Sequence, residues 1–347
     1  MKQVFSPDIS NENSFDFFRI LFAFSVFFSH FKELTATDSF IYWPISASMG
    51  VAGFFIISGF LITRSYYRSS NLISYIKKRI RRIVPAYFLI VITCALLFSL
   101  VSSLSFQEYF TSKDFYKYLI ANLSFLNFIQ PTLPGVFADN PLPFINGSLW
   151  TIKVELALYA SVPLMVLFLK RKPILVFICL YIFSLSFRHY LFFLDENNLE
   201  KGMIVTLCRP FFSQVCFFVS GAIMLFYFDF FKSNIKWLLP LSAALFTSKY
   251  FLSHWIIEFF SPLSFAILII SLAYYFKKLA FVSKYGDISY GLYLFHFPMI
   301  QLFTHLGYMK EKPVLLFSTC LCILVLLSYL SWHLLEKRFL KRNNKFS

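Results

Sequence analysis

The sequence has little charge, and acidic residues are the scarcer kind. Charged residues make up 14% of the 347 positions and hydrophobic residues 58%, and the mean hydropathy is +0.68. A soluble globular chain is excluded, because apolar stretches long enough to span a bilayer recur from end to end. The ten-residue alternation typical of a membrane β-barrel is also missing. The sequence therefore predicts an all-α, polytopic integral membrane bundle of about ten transmembrane helices.

The 32 basic and 17 acidic residues give a net charge of +15. Nucleic-acid binding is not expected, because the basic residues fall in short loops between apolar runs. With the amino terminus inside, the predicted inner segments hold 21 Lys and Arg and the outer segments hold 8. This asymmetry predicts that both termini are cytoplasmic.

Cysteine is rare, and its spacing fits neither a metal site nor a redox motif. The six cysteines all lie in apolar segments and are interpreted as small core residues: Cys94, Cys179, Cys208, Cys216, Cys320 and Cys322. No metal and no bound cofactor are expected. A cleavable signal is not expected either, since Arg19 interrupts the first apolar stretch and no small-residue cleavage site follows it.

We expect one domain over residues 1–347, with no appended soluble domain and with a long outer loop over 104–148. Nothing in the residues of this loop indicates a ligand. The predicted spans are 16–33, 45–63, 83–103, 149–169, 173–190, 204–228, 237–252, 256–276, 288–306 and 314–335.

The first span carries two ionisable side chains in the run FFRILFAFSVFFSHF, Arg19 and His30. Eleven helical residues turn about 20° past three full turns, so the two lie on one face, roughly 16 Å apart along the axis. Ionisable groups in a membrane helix normally face a cavity or a partner, so the stripe indicates a polar groove. Snorkelling of Arg19, with His30 marking the far interface, is the alternative.

The first inner loop ends in KKRIRRIVP, where Arg79 and Arg82 are three residues apart and share a face of any helix there. Guanidinium groups match phosphate oxygens, so the pair is a candidate phosphate clamp; a simple positive-inside anchor is the alternative. Pro85 is expected to fix the start of the third span.

Polar residues in the later spans are further candidates. Glu155 follows Trp150 in SLWTIKVE and needs a partner from another helix or a wet cavity, since Lys153 is about 200° around the helix. Arg209, beside Pro210, is a candidate lining residue.

Span nine, GDISYGLYLFHFP, places Ser289, Tyr293 and His296 on one stripe. This stripe is either a hydrogen-bonded seam between helices or a substrate contact. The glycines of GVAGFFIISGFLIT, by contrast, are interpreted as helix packing.

Together these motifs, in this order, resemble the acyltransferase family 3 membrane proteins, which include O-acetyltransferases of bacterial surface polysaccharides. The resemblance covers about residues 14–339. It implies transfer of an acyl group from cytoplasmic acyl-CoA, with acetyl-CoA as the family default, to a hydroxyl of a surface or exported glycan such as lipopolysaccharide. The implied location is the bacterial inner membrane, and the implied partners are lipid, donor and glycan.

By this resemblance His30 matches the essential histidine and Arg19 its partner arginine. Arg79 and Arg82 match the paired arginines that bind acyl-CoA, and Glu155 matches the acidic residue after the tryptophan. Two departures stand out: Leu156 replaces a frequent second acidic residue, and the terminal element reads Glu336-Lys337-Arg338-Phe339 without the usual proline.

The mechanism expected for such an enzyme is general base catalysis by the His30 imidazole on the acceptor hydroxyl. An acyl-histidine relay is the competing version. A transporter or flippase for a lipid-linked glycan is the alternative function, although the internal repeat of many transporters is missing, since the Arg19–His30 helix has no counterpart in the second half of the chain. A lipid, peptidoglycan or antibiotic acceptor is a third possibility.

Overall fold

The computed structural model describes residues 13–37, 42–169, 172–199, 203–252, 255–308 and 311–341. Every regular element in these residues is helical, and they contain no strand, which confirms the all-α prediction. The α-helices in chain order are α1 (Phe15–Thr35), α2 (Ala47–Tyr67), α3 (Leu72–Leu97), α4 (Phe106–Thr111), α5 (Lys113–Leu123), α6 (Trp150–Leu169), α7 (Pro173–Glu196), α8 (Met203–Phe226), α9 (Phe228–Ser233), α10 (Ile235–Ser248), α11 (Trp255–Tyr275), α12 (Ser289–His305), α13 (Pro313–Ser331) and α14 (Lys337–Lys341).

Seven helical segments in the described part of the chain are long and apolar enough to cross a membrane. They are Ala47–Tyr67, Leu72–Val101, Gly147–Phe168, Pro173–Glu196, Cys208–Phe226, Trp255–Tyr275 and Pro313–Leu340. The chain is therefore a multi-pass helical membrane protein. The other three predicted spans correspond to α1, which carries several charges, α10, which has 14 residues, and α12, which has 17.

Helix α3 begins earlier than the sequence predicts. It starts at Leu72 and continues through Pro85, so the prediction that this proline fixes the start of the helix is wrong. Proline supplies no N–H to the carbonyl of Arg81, but membrane helices tolerate such gaps. Arg79 and Arg82 consequently lie inside a regular helix, where their spacing does place them on one face.

The interpretation of the cysteines as core residues holds for only half of them. Cys94, Cys216 and Cys320 are buried, but Cys179 and Cys322 are exposed and Cys208 is partly exposed. An apolar segment in a membrane protein has a lipid-facing side as well as a protein-facing side, and hydrophobicity does not distinguish the two.

The structure divides into two compact units. Unit 1 contains the chain up to Arg19, Val51–Tyr75 and Val154–Val282. Unit 2 contains Ile20–Gly50, Ile76–Lys153 and Ser283–Ser347. Each unit is thus assembled from three separate stretches of sequence.

Within unit 1, helices α2 and α8 touch through their backbones at two glycines. A Cβ on Gly59 would lie 1.9 Å from the carbonyl oxygen of Phe218, and one on Gly221 would lie 2.0 Å from that of Ile56. Both distances are far below any real contact, so neither position accommodates even alanine without a backbone shift. For Gly59 this confirms the packing interpretation.

We expect Gly59→Ala to destabilise the protein by about 1–3 kcal/mol, the usual effect of overpacking, because backbone and not a flexible side chain stands in the way. Thermal unfolding in detergent measures the effect. Cys179→Ala, at an exposed position of α7, is the control and should leave the midpoint unchanged. An unaltered midpoint for Gly59→Ala would show that the two helices do not pack this closely.

Candidate functional site: an imidazole pair and a buried arginine cluster

The central feature of unit 2 is a pair of histidines, His30 on α1 and His296 on α12. Nδ1 of His30 lies 2.8 Å from Nε2 of His296. The ring centroids are 5.1 Å apart and the planes differ by 7°. With nitrogens this close, that centroid separation means that the rings meet edge to edge in nearly one plane, as a direct N–H···N bond requires.

The two rings differ in their surroundings. His296 is fully buried, and its Nδ1 lies 3.1 Å from the backbone carbonyl oxygen of Leu292, one turn earlier. His30 keeps partial exposure, and the Phe297 ring packs against it nearly at a right angle, with centroids 5.3 Å apart. A Cβ on Gly147 would lie 2.7 Å from the Phe297 ring. Glycine there leaves room for the ring that holds His30 in place.

The start of α6 and the residues just before it are hydrogen-bonded to α12. Thr151 donates to the Tyr293 hydroxyl at 2.8 Å, and Asn146 donates to the carbonyl of Leu294 at 2.9 Å. The Asn146 amide oxygen in turn accepts from the Ser148 hydroxyl at 2.6 Å. Tyr293 is therefore a seam residue of α12, one of the two interpretations that the sequence leaves open.

The end of the long 104–148 segment is also fixed to α12, through Gln301. This side chain is fully buried, and its Nε2 donates to the carbonyls of Leu142 and Phe144. Its Oε1 accepts from the Asn140 side chain at 2.7 Å. Gln301 was not among the predicted site residues. A lone glutamine in an apolar run is nevertheless a usable signal, because a buried amide needs four partners.

The second polar cluster in unit 2 surrounds Arg82. Its two terminal nitrogens donate to Asp287 at 2.5 Å and to Glu336 at 3.0 Å. The guanidinium carbon lies 5.4 Å from the ring centroid of Tyr290 and 5.5 Å from that of Trp332. Glu336 is 2% exposed, so this is a largely desolvated ion-pair group.

Neighbouring residues complete this cluster. Ser289 donates to Asp287, and Ser331 donates to the second oxygen of Glu336 at 3.0 Å. Gly286 adopts φ +95°, and a Cβ there would lie 2.0 Å from the Trp332 indole nitrogen. Ser289 thus belongs to the arginine cluster, whereas His296, from the same predicted stripe, belongs to the imidazole pair. No sequence pattern indicated that Asp287 and Glu336 pair with Arg82.

Within unit 1, Glu155 on α6 has one partner on its own helix and a more distant one on α2. Its Oε1 accepts a short hydrogen bond from Tyr159, and the Ser58 hydroxyl of α2 lies 3.5 Å away. Tyr75 donates to the carbonyl of Tyr159 at 2.8 Å. Tyr159 was missed by sequence reasoning, although its i+4 spacing from Glu155 is a readable signal.

The remaining candidates have looser surroundings. Arg19 lies 3.7 Å from Asp16, one turn earlier on α1, and Arg209 lies 3.7 Å from Asp195. The Arg209–Asp195 pair is exposed and therefore contributes little to stability. Trp150 begins α6 and is partly exposed.

The structure therefore defines a class of protein: a multi-pass helical membrane protein that carries a pair of imidazoles and a largely desolvated arginine cluster. A family model described as an acyltransferase domain matches residues 12–333. The chain therefore belongs to acyltransferase family 3 and is an acyltransferase, which confirms the resemblance seen in its motifs.

Three relatives illustrate the range of the family. The chain is 30% identical to an O-acetyl transferase of Shigella phage Sf6, over 96% of this chain and 97% of that protein. It is 29% identical to nodulation protein 10 of Rhizobium leguminosarum bv. viciae, over 95% and 94%. It is 26% identical to the O-acetyltransferase OatA of Staphylococcus aureus, over 87% of this chain but 54% of that protein. No solved structure matches.

Proposed function

We propose that this acyltransferase moves an acyl group, acetyl by default, from cytoplasmic acyl-CoA to a hydroxyl of a surface or exported glycan. The O-acetyl transferase names of two relatives support acetyl as the group. The proposal includes ten membrane crossings, both termini in the cytoplasm, one functional domain and a bacterial inner-membrane location. A lipid, peptidoglycan or antibiotic acceptor is the alternative within the same chemistry.

The observation that carries the proposal is the His30 imidazole, partly exposed and held in one orientation by His296 and Phe297. A glycan hydroxyl is a weak nucleophile until a base accepts its proton. In the proposed reaction His30 takes that proton as the oxygen attacks the thioester carbonyl. The C–O bond forms, the C–S bond breaks, and the imidazolium returns the proton to the departing thiolate.

The other candidates take supporting roles in this proposal. Arg79, Arg82 and Arg19 bind the phosphates of acyl-CoA, since guanidinium groups form charge-assisted bonds with phosphate oxygens. Glu155, the second catalytic candidate, binds the acceptor, and Trp150 and Arg209 are further pocket candidates.

Arg79→Gln should raise the KM for acyl-CoA about 10- to 100-fold with little change in kcat, the effect of losing one charged hydrogen bond to the donor. A variant of Arg82 is a poorer test, because Arg82 donates to two carboxylates and its loss also destabilises the fold. Lys77→Gln removes the same charge from an exposed position two residues earlier and is the control. Equal donor KM values for the two variants would remove Arg79 from the phosphate site.

Membrane vesicles given radiolabelled acetyl-CoA test the function as a whole. Label appearing in glycan with the wild type, and not with His30→Ala, is the expected result. Glycan movement without label would overturn the proposal in favour of a transporter. Mass spectrometry of surface glycans from strains with and without the gene then identifies the acceptor.

A further inference from the structure

Hydrogen-bonding chemistry determines where the protons of the imidazole pair lie. The carbonyl oxygen of Leu292 can only accept, so Nδ1 of His296, 3.1 Å away, must carry its proton. A neutral imidazole has one N–H, which leaves Nε2 of His296 as an acceptor. The nitrogen facing it at 2.8 Å, Nδ1 of His30, must therefore be the donor.

The opposite assignment fails on the same geometry. If His296 carried its proton on Nε2, the lone pair of its Nδ1 would face the lone pairs of the Leu292 carbonyl at hydrogen-bond distance. His296 is fully buried, so water cannot relieve that repulsion. Hydrogen-bond donation therefore runs in one direction only. Nδ1–H of His30 donates to His296, and Nδ1–H of His296 donates to the carbonyl of Leu292.

We propose that His296 is a positioning residue: by accepting from Nδ1 of His30 it keeps the free lone pair of His30 on Nε2, the nitrogen that receives the acceptor's proton. This inference rests on the acyl transfer proposed above. No described residue besides His296 hydrogen-bonds to His30. The arrangement matches the role of the third member of a catalytic triad, which orients the base and fixes its tautomer, with a neutral imidazole in place of a carboxylate.

The hydrogen bond between His30 and His296 also contributes while the acceptor's proton is transferred. Once Nε2 of His30 has taken the hydroxyl proton, the ring is an imidazolium whose Nδ1–H still donates to His296. A hydrogen bond with one charged partner is about twice as strong as a neutral one. The bond therefore strengthens as the oxygen attacks and relaxes when the proton passes to the thiolate, so its contribution falls on kcat and not on binding.

Two substitutions of similar size separate positioning from packing. His296→Gln places a side-chain carbonyl near the original Nε2 and keeps the acceptor, whereas His296→Met fills the space without one. We expect His296→Met to lower kcat about 10- to 100-fold, as for residues that orient metal-binding histidines, with donor KM unchanged. His296→Gln should stay within about tenfold of wild type. Equal losses in the two variants, or no loss in His296→Met, would overturn the inference.

Solid-state ¹⁵N NMR of histidine-labelled protein gives a readout that needs no activity. The six histidines are few enough to assign His30 by the signals lost in His30→Gln. We expect His30 to be protonated at Nδ1 and bare at Nε2, and to lose that preference in His296→Met but not in His296→Gln. The reverse tautomer in wild type would overturn the inference. Failure of the vesicle assay with the expected NMR result would instead overturn the proposed function alone.

Discussion

His30→Ala is expected to lower acyl transfer about 10²- to 10⁴-fold, the range that a general base typically contributes. The side chain is partly exposed and its removal unpairs only the buried Nε2 of His296. The variant should therefore still insert and fold. Acetyl incorporation into glycan by purified vesicles, normalised to enzyme content, measures the effect.

His189→Ala is the matched control, because His189 is half-exposed and pairs with the similarly exposed Glu258. It should retain wild-type activity and membrane content. A His30→Ala enzyme as active as His189→Ala would exclude His30 from the chemistry, however well its geometry fits.

Incubation with labelled acyl-CoA in the absence of acceptor distinguishes direct transfer from an acyl-histidine relay. Direct transfer predicts that rapidly quenched protein carries no label. Label on the protein that disappears in His30→Ala would establish the relay, since only that route forms a covalent enzyme intermediate.

Arg82→Met is expected to destabilise the protein by about 3–5 kcal/mol, the usual effect of removing one partner from a buried ion pair. Asp287 and Glu336 would then face each other as two carboxylates without a countercharge, Glu336 almost fully buried. Thermal unfolding in detergent, with and without acyl-CoA, measures the loss.

The triple variant Arg82→Met, Asp287→Asn, Glu336→Gln tests the reason for that loss. Neutral replacement of a whole buried ionic group is often tolerated, and both amides keep an acceptor for their serine partners. The triple variant should regain most of the thermal unfolding midpoint that Arg82→Met loses. If Arg82→Met alone has the same unfolding midpoint as the wild type, the cluster does not stabilise the structure.

The sequence predicted features that depend on neighbours along one helix. Composition predicted the all-α membrane class, and the eleven-residue spacing placed Arg19 and His30 on one helix, α1. Motif order identified the family. These inferences succeed because helical periodicity and hydrophobicity are local properties.

What the sequence did not reveal is which distant polar groups meet. Nothing in the stripe of Ser289 and His296 indicates that one joins an arginine cluster and the other a histidine, since partner choice depends on tertiary packing. The prediction from Pro85 was wrong for a related reason. Its local preference to start a helix is overridden in the folded protein, where α3 continues through it. Glu336 appeared unimportant because its motif departs from the family pattern, yet it is a buried ion-pair partner.

The partners of His30 and Arg82 are encoded far downstream, at separations of 266 residues for His296 and of 205 and 254 for Asp287 and Glu336. During translation, α1 and α3 are therefore synthesised long before the residues that His30 and Arg82 contact. A chain that ended before Asp287 would lack both carboxylates that Arg82 contacts, and His296 as well. The carboxyl-terminal quarter of this enzyme therefore supplies the carboxylates and the imidazole that hold these two side chains in place.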